Sequence, residues 1–358
     1  MKNLKDCQKE IQSLAKKQSE LLSTLLDVFD DSSEAKVFYD TLRKKVTSSE
    51  FDEILKSSFF TNWPRDHPNS KEGMRGIKTI ADNIDKIKVA SDKPDALTFK
   101  FLLTEVFGSD QYFESIDDAL MKGVEFFSLV QEGFDIMSSR KPKEFEGFLS
   151  NLKILNNANG LRGAHFELYL AKKYNWDVQI RYKPNKEEYD IFLFSKKEKD
   201  KNGRPLQFLS AKNCSNIRLK EFGQFLKQLV ALKDDGQRLR YRVVVHLENN
   251  CNFSRAAGGF LDKFIQETKQ GGNYPKLKPF LDSIIEEVKK NEKSINNFNP
   301  NRFVGKPGNS SNGFFKRIAS LATPKGEDKI AEDFLEGFKK LFFIQESNVI
   351  PSYRKKSS

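Results

Sequence analysis

Two strand-like stretches end in charge. In PLQFLSAKN (205–213), Leu206, Phe208, Ser210 and Lys212 alternate onto one face, because strand side chains change sides at every residue. Leu206 and Phe208 mark that face as buried, yet it ends in a serine and a lysine. In YDIFLF (189–194), Asp190 shares a face with Phe192 and Phe194, so it too is the polar end of an apolar stripe. Charges at such an edge are costly unless they pair with each other or hold a metal. A polar turn containing Asn202-Gly203 separates the stretches, and folding it as a hairpin brings them together. If Phe194 or Ser195 faces Leu206, paired numbers sum to about 401, and Asp190 falls opposite Ala211, between Ser210 and Lys212. A third charge, Glu167, lies on a helical face with Gly163, Ala164 and Ala171. Those small residues let a helix approach a sheet closely. The plainer alternative is a surface glutamate or a simple Glu–Lys pair.

The elements that must position these residues follow from periodicity. GLRGAHFELYLAKKYN predicts a helix, and VQIRYKP (178–184), YDIFLF and LQFLSAKN predict three strands. IRLKEFGQFLKQLVALKD (217–234) is an amphipathic helix, and RYRVVVHLEN (240–249) is a fourth strand. The order over 160–248 is αβββαβ.

This order, with Glu167 on the first helix, Asp190 at the start of the second strand and Lys212 at the end of the third, resembles the PD-(D/E)xK, or restriction-endonuclease-like, nuclease superfamily. The resemblance implies a metal-dependent endonuclease that hydrolyses phosphodiester bonds, with DNA favoured as substrate. One position departs: Ser210 stands where the superfamily usually carries Asp or Glu. In an SxK subgroup the missing carboxylate migrates to the following helix, and here Glu221 opens that helix. The implied catalytic set is Glu167, Asp190, Ser210, Lys212 and Glu221. The implied metal ligands are Asp190, Glu167 and Glu221, holding Mg²⁺ or Mn²⁺, since hard cations prefer oxygen. Lys212 would orient a water or stabilise developing negative charge, and Ser210 can bond a metal-bound water. Glu221 also reads simply as a first-turn acid that favours the helix start.

Charge agrees with a polyanionic partner. The chain of 358 residues carries 61 Lys/Arg against 50 Asp/Glu, a net +11. By count along the sequence, residues 1–150 hold 22 basic against 27 acidic, 151–250 hold 20 against 11, and 251–358 hold 19 against 12. The start is acidic and the rest basic, so nucleic acid is expected at residues 151 onward. Lys196, Lys197, Lys199, Lys201 and Arg204 at the hairpin tip, and Arg162 beside the helix glutamate, are the expected phosphate contacts. Gln224 and Gln228 share a helix face with Glu221 and are expected at the same interface.

Helical periodicity fills residues 1–60, and TNWPRDHPNSKEGMRG (61–76) reads as a loop from its prolines and glycines. Helical patterns resume at 77–89, 95–108 and 115–138. Two more helices are expected over 258–295, a loop over 296–315, and a last helix near 327–343 before a basic tail. The expected fold is therefore α+β. A helical region (1–150) with a protein partner or scaffold role precedes a nuclease-like core (151–255) and a basic helical C-terminal region with its tail (256–358). Three cysteines without CxxC spacing predict neither disulfides nor zinc. His165, His246 and Cys214 read as structural. No membrane span or signal is visible, which predicts a cytoplasmic protein and leaves delivery to another cell open. Two alternatives stand beside the nuclease: a degenerate member that binds nucleic acid without cutting it, and a helical adaptor with a structural α/β insert.

Overall fold

The computed structural model describes residues 4–29, 31–87, 99–152, 158–184, 187–194, 207–214, 224, 225, 228, 231, 232, 240–247 and 343–346. The protein is a mixed α+β chain. It divides into two compact units between Ile180 and Arg181.

The first unit is helical. Its elements are α1 (Leu4–Val28), α2 (Ser32–Lys45), α3 (Ser48–Lys56), α4 (Ser70–Asp82), α5 (Ile84–Ile87), a π-helical turn (Phe101–Val106), α6 (Ile116–Ser138), α7 (Pro142–Leu152) and α8 (Ala158–Lys173). Side chains cap the orphan N–H groups at several starts. Asp31 accepts from Ser33 N ahead of α2, and Thr47 with Glu50 forms a reciprocal capping box on α3. Helix α4 begins within the stretch expected to be loop. Gly73 and Gly76, expected as loop punctuation, are packing residues instead. A Cβ added at Gly76 would lie 1.8 Å from the Phe127 carbonyl oxygen, so only glycine lets α4 come this close to α6. Phe59, Trp63, Phe107, Phe126 and Phe127 interlock in edge-to-face, tilted and stacked pairs beside that contact.

Helix α8 packs on α6 and α7 and so belongs to the helical unit, although the sequence groups it with the strands. It ends where Asn175 and Trp176 adopt φ of 53° and 56°. Such φ values are rare for a bulky residue. The turn is held by Trp176 N donating to Ala171 O at 2.7 Å and by the buried indole donating to Glu132 Oε1 at 2.8 Å.

Five strands form one sheet in the order β1-β2-β3-β4-β5: β1 (Val178–Tyr182), β2 (Tyr189–Leu193), β3 (Gln207–Cys214), β4 (Tyr241–Leu247) and β5 (Phe343–Glu346). β2 and β3 are antiparallel, whereas β3–β4 and β4–β5 are parallel. A parallel pair needs a crossover, and residues 224, 225, 228 and 231, between β3 and β4, are helical. β5 is an addition to the expected fold. Its apolar residues follow a helical pattern directly, and a run that short does not distinguish helix from strand. The expected helices at 258–295, the loop at 296–315, most of the last helix and the tail lie outside the described residues. Among the described residues, no helix is long and apolar enough to cross a membrane.

Candidate functional site

The hairpin register is the one in which paired residue numbers sum to 400, which agrees with Phe194 facing Leu206 and falls one residue short of pairing Asp190 with Ala211. Leu193 faces Gln207, Phe192 faces Phe208 and Ile191 faces Leu209, where the ladder stops. Asp190 lies one residue beyond the last pair. There its side chain replaces a main-chain partner. Asp190 Oδ2 accepts from Ala211 N at 2.7 Å and from Ser210 Oγ at 3.2 Å. Lys212 Nζ lies 3.9 Å from the same oxygen, an ion pair longer than a direct charged hydrogen bond. The structure thus brings Asp190, Ser210 and Lys212 together at one end of β2 and β3. Asp190 and Ser210 are buried, and the Lys212 side chain keeps 21% of its surface exposed. All three contacts fall on Oδ2, and among the described residues Asp190 Oδ1 takes no donor.

Behind Ser210 lies a buried polar network. Tyr241 donates its hydroxyl to Gln228 Oε1 at 2.8 Å, Gln228 Nε2 donates to Glu188 O at 2.6 Å, and Tyr189 donates to Gln228 O at 2.6 Å. The Glu188 carbonyl can only accept, which turns the Gln228 amide nitrogen toward it and the amide oxygen toward Tyr241. Tyr241 must then donate. Burial pushes its phenol well above the usual 10. The Asp190 charge and Tyr189 act in the same direction, and the neighbouring Ser210 hydroxyl opposes them. Tyr241 therefore stays protonated.

Gln228 differs from its expected role. It is fully buried and its amide is engaged on both sides by protein, so it is an internal strut and offers no surface to nucleic acid. Gln224 is helical and half-buried. Glu167 is buried in α8, in the helical unit, and accepts from Asn151 Nδ2 on α7. Arg162 is half-buried near the start of α8. Glu221, Lys196, Lys197, Lys199, Lys201 and Arg204 lie outside the described residues. Among the described residues, no group of three His, Cys, Asp or Glu gathers as a metal site.

Tyr189, Tyr241 and Asn151 are not among the residues the sequence singles out. The tyrosines carry a usable signal: a buried phenol needs a partner for its hydroxyl, and both sit in strands rich in apolar residues. Asn151 carries none.

No family model, curated protein or solved structure matches this chain.

Proposed function

We propose that the protein is a divalent-metal-dependent nuclease acting on nucleic acid, DNA foremost, through a restriction-endonuclease-like core. The observation that carries this reading is the convergence of Asp190, Ser210 and Lys212 on one carboxylate oxygen at the ends of β2 and β3. The antiparallel β2–β3 pair, the parallel β3–β4 pair and the helical residues 224, 225, 228 and 231 between β3 and β4 support it. Asp190 Oδ1 and Ser210 supply oxygen atoms of the kind Mg²⁺ prefers, and Mg²⁺ commonly binds through one or two carboxylates while keeping several waters. Such an ion, when bound, would lower the pKa of a water and polarise the phosphate. Asp190 would hold the cation in an orientation set by Ser210 and the Ala211 amide. Lys212 would place its charge against the phosphate or its attacking water. Glu221 would supply the carboxylate that β3 lacks.

Cleavage of DNA and RNA by the purified chain, with Mg²⁺ or Mn²⁺ and with EDTA, tests the reading. Glu221→Gln tests the migrated carboxylate: activity should fall and higher Mn²⁺ should restore part of it. Glu167→Gln asks whether that charge matters, because glutamine still accepts from Asn151. A second reading, a nuclease fold that binds nucleic acid without cutting it, draws on one observation. Ser210 and the Ala211 amide already satisfy Asp190 Oδ2 with neutral donors, so the site is stable without a cation. Binding that survives EDTA, with no cleavage in any metal, would favour it.

A further inference from the structure

We infer that Gln228 is a positioning residue for Asp190, acting through the main chain at the start of β2. This rests on the proposed site, but its geometry stands separately. The β2–β3 ladder stops at Ile191↔Leu209, so Asp190 lies outside the paired main chain of that hairpin. The two residues before it are held by Gln228. Glu188 O accepts from Gln228 Nε2 at 2.6 Å, and the Tyr189 hydroxyl donates to Gln228 O at 2.6 Å. Tyr241 locks the other end of the amide at 2.8 Å. Gln228 is fully buried, so these bonds face little competition from water. One side chain thereby ties β4 and the start of β2 to each other. The consequence falls on Asp190, whose carboxylate must meet Ser210 on β3 and the Ala211 amide in a fixed direction. A catalytic or metal-binding group needs support of this kind to stay within a fraction of an ångström of its working position.

The Ala211 amide reports on that position whether or not the protein cuts nucleic acid, because its partner is the Asp190 carboxylate at 2.7 Å. The test uses the full-length protein and hydrogen exchange resolved to single amides. Gln228→Met keeps the length of the side chain but cannot donate to Glu188 O; it also loses the acceptor for Tyr241, a loss that Tyr241→Phe reproduces alone. In Gln228→Met the Ala211 amide should exchange at least about tenfold faster, while Leu209 and Val243 in the ladders keep their rates. Tyr241→Phe leaves the Glu188 bond intact and should change Ala211 less. In cleavage assays Gln228→Met should lower kcat and leave KM for nucleic acid unchanged.

An unchanged Ala211 rate in Gln228→Met overturns the inference. So does faster exchange spread evenly over β3 and β4, since that marks a residue that only stabilises the fold. If Gln228→Met does not fold, Tyr241→Phe decides: with the Glu188 bond intact, Ala211 exchange faster by more than about tenfold would show that the clamp on β2 is not the route, and a smaller change supports it. A selective effect at Ala211 in a parent that never cleaves would leave the positioning intact and defeat the nuclease reading alone.

Discussion

Ser210 Oγ donates to Asp190 Oδ2 at 3.2 Å, while Lys212 Nζ stays 3.9 Å from the same oxygen. The carboxylate is therefore aligned by a neutral hydroxyl and a main-chain amide, and the lysine is left to act on something else. A glutamate or aspartate at 210 would set two negative charges side by side, a placement that needs a cation.

Lys212 should accordingly matter to chemistry and little to structure. Lys212→Ala is expected to lower the cleavage rate by roughly 10²–10³, with melting temperature and nucleic-acid affinity close to the parent. A rate equal to the parent's would remove Lys212 from the site.

The meeting of these residues is legible in the sequence, because alternation in two strands places Asp190, Ser210 and Lys212 on buried faces of a hairpin. The register is legible only to within one residue. Short loops fix hairpin register through turn type, but thirteen residues separate Leu193 from Gln207. Gln228 escapes for a different reason. A glutamine on an amphipathic helix looks like solvent-facing polarity, and its partners Glu188 and Tyr189 lie 40 and 39 residues away. Gly73 and Gly76 look like chain punctuation, since nothing local reveals the α6 carbonyls that press on α4.

That close approach carries its own expectation. Gly76→Ala drives a methyl into the Phe127 carbonyl, and neither α4 nor α6 can yield without disturbing the aromatic cluster. The cost should be about 3 kcal/mol or more, read from urea unfolding. A loss below about 1 kcal/mol would mean the two helices slide apart freely.

Asn151 is buried in α7 and donates to Glu167. Asn151→Ala removes that donor from a buried carboxylate and should destabilise the protein by about 1–3 kcal/mol. The matched variant Glu167→Gln, which preserves an acceptor for Asn151, should cost less. Equal losses in the two would show that the hydrogen bond is not the stabilising element.

His165 on α8 is buried against Phe126, and burial, with the Lys122 charge, lowers its pKa from 6.5 to about 3. The unfolded chain takes up a proton below pH 6.5, and the folded chain does not until near pH 3. The contribution of this residue is therefore complete above pH 6.5 and erodes as pH falls toward 3. The slope from this one group is at most about 1.4 kcal/mol per pH unit. Urea midpoints between pH 7.5 and 4.5 should fall more steeply in the parent than in His165→Gln. Parallel curves would place the acid sensitivity elsewhere.

Residues 151–358 carry 39 basic against 23 acidic side chains. Nucleic-acid binding by the full-length protein should weaken steeply as salt rises, by roughly 0.9 in log–log slope for each duplex phosphate contacted. Affinity independent of salt between 50 and 200 mM would contradict an interface built on those charges.

The most direct test of the nuclease reading changes one atom type. Asp190→Asn keeps the size of the side chain and an oxygen that can accept from Ser210 and Ala211, but it removes the negative charge a cation requires. The parent should cleave DNA with Mg²⁺ or Mn²⁺ and stop in EDTA, and Asp190→Asn should bind the same DNA with cleavage abolished. Cleavage by Asp190→Asn at the parent's rate, or cleavage by the parent that persists in EDTA, would contradict a metal-dependent site at Asp190.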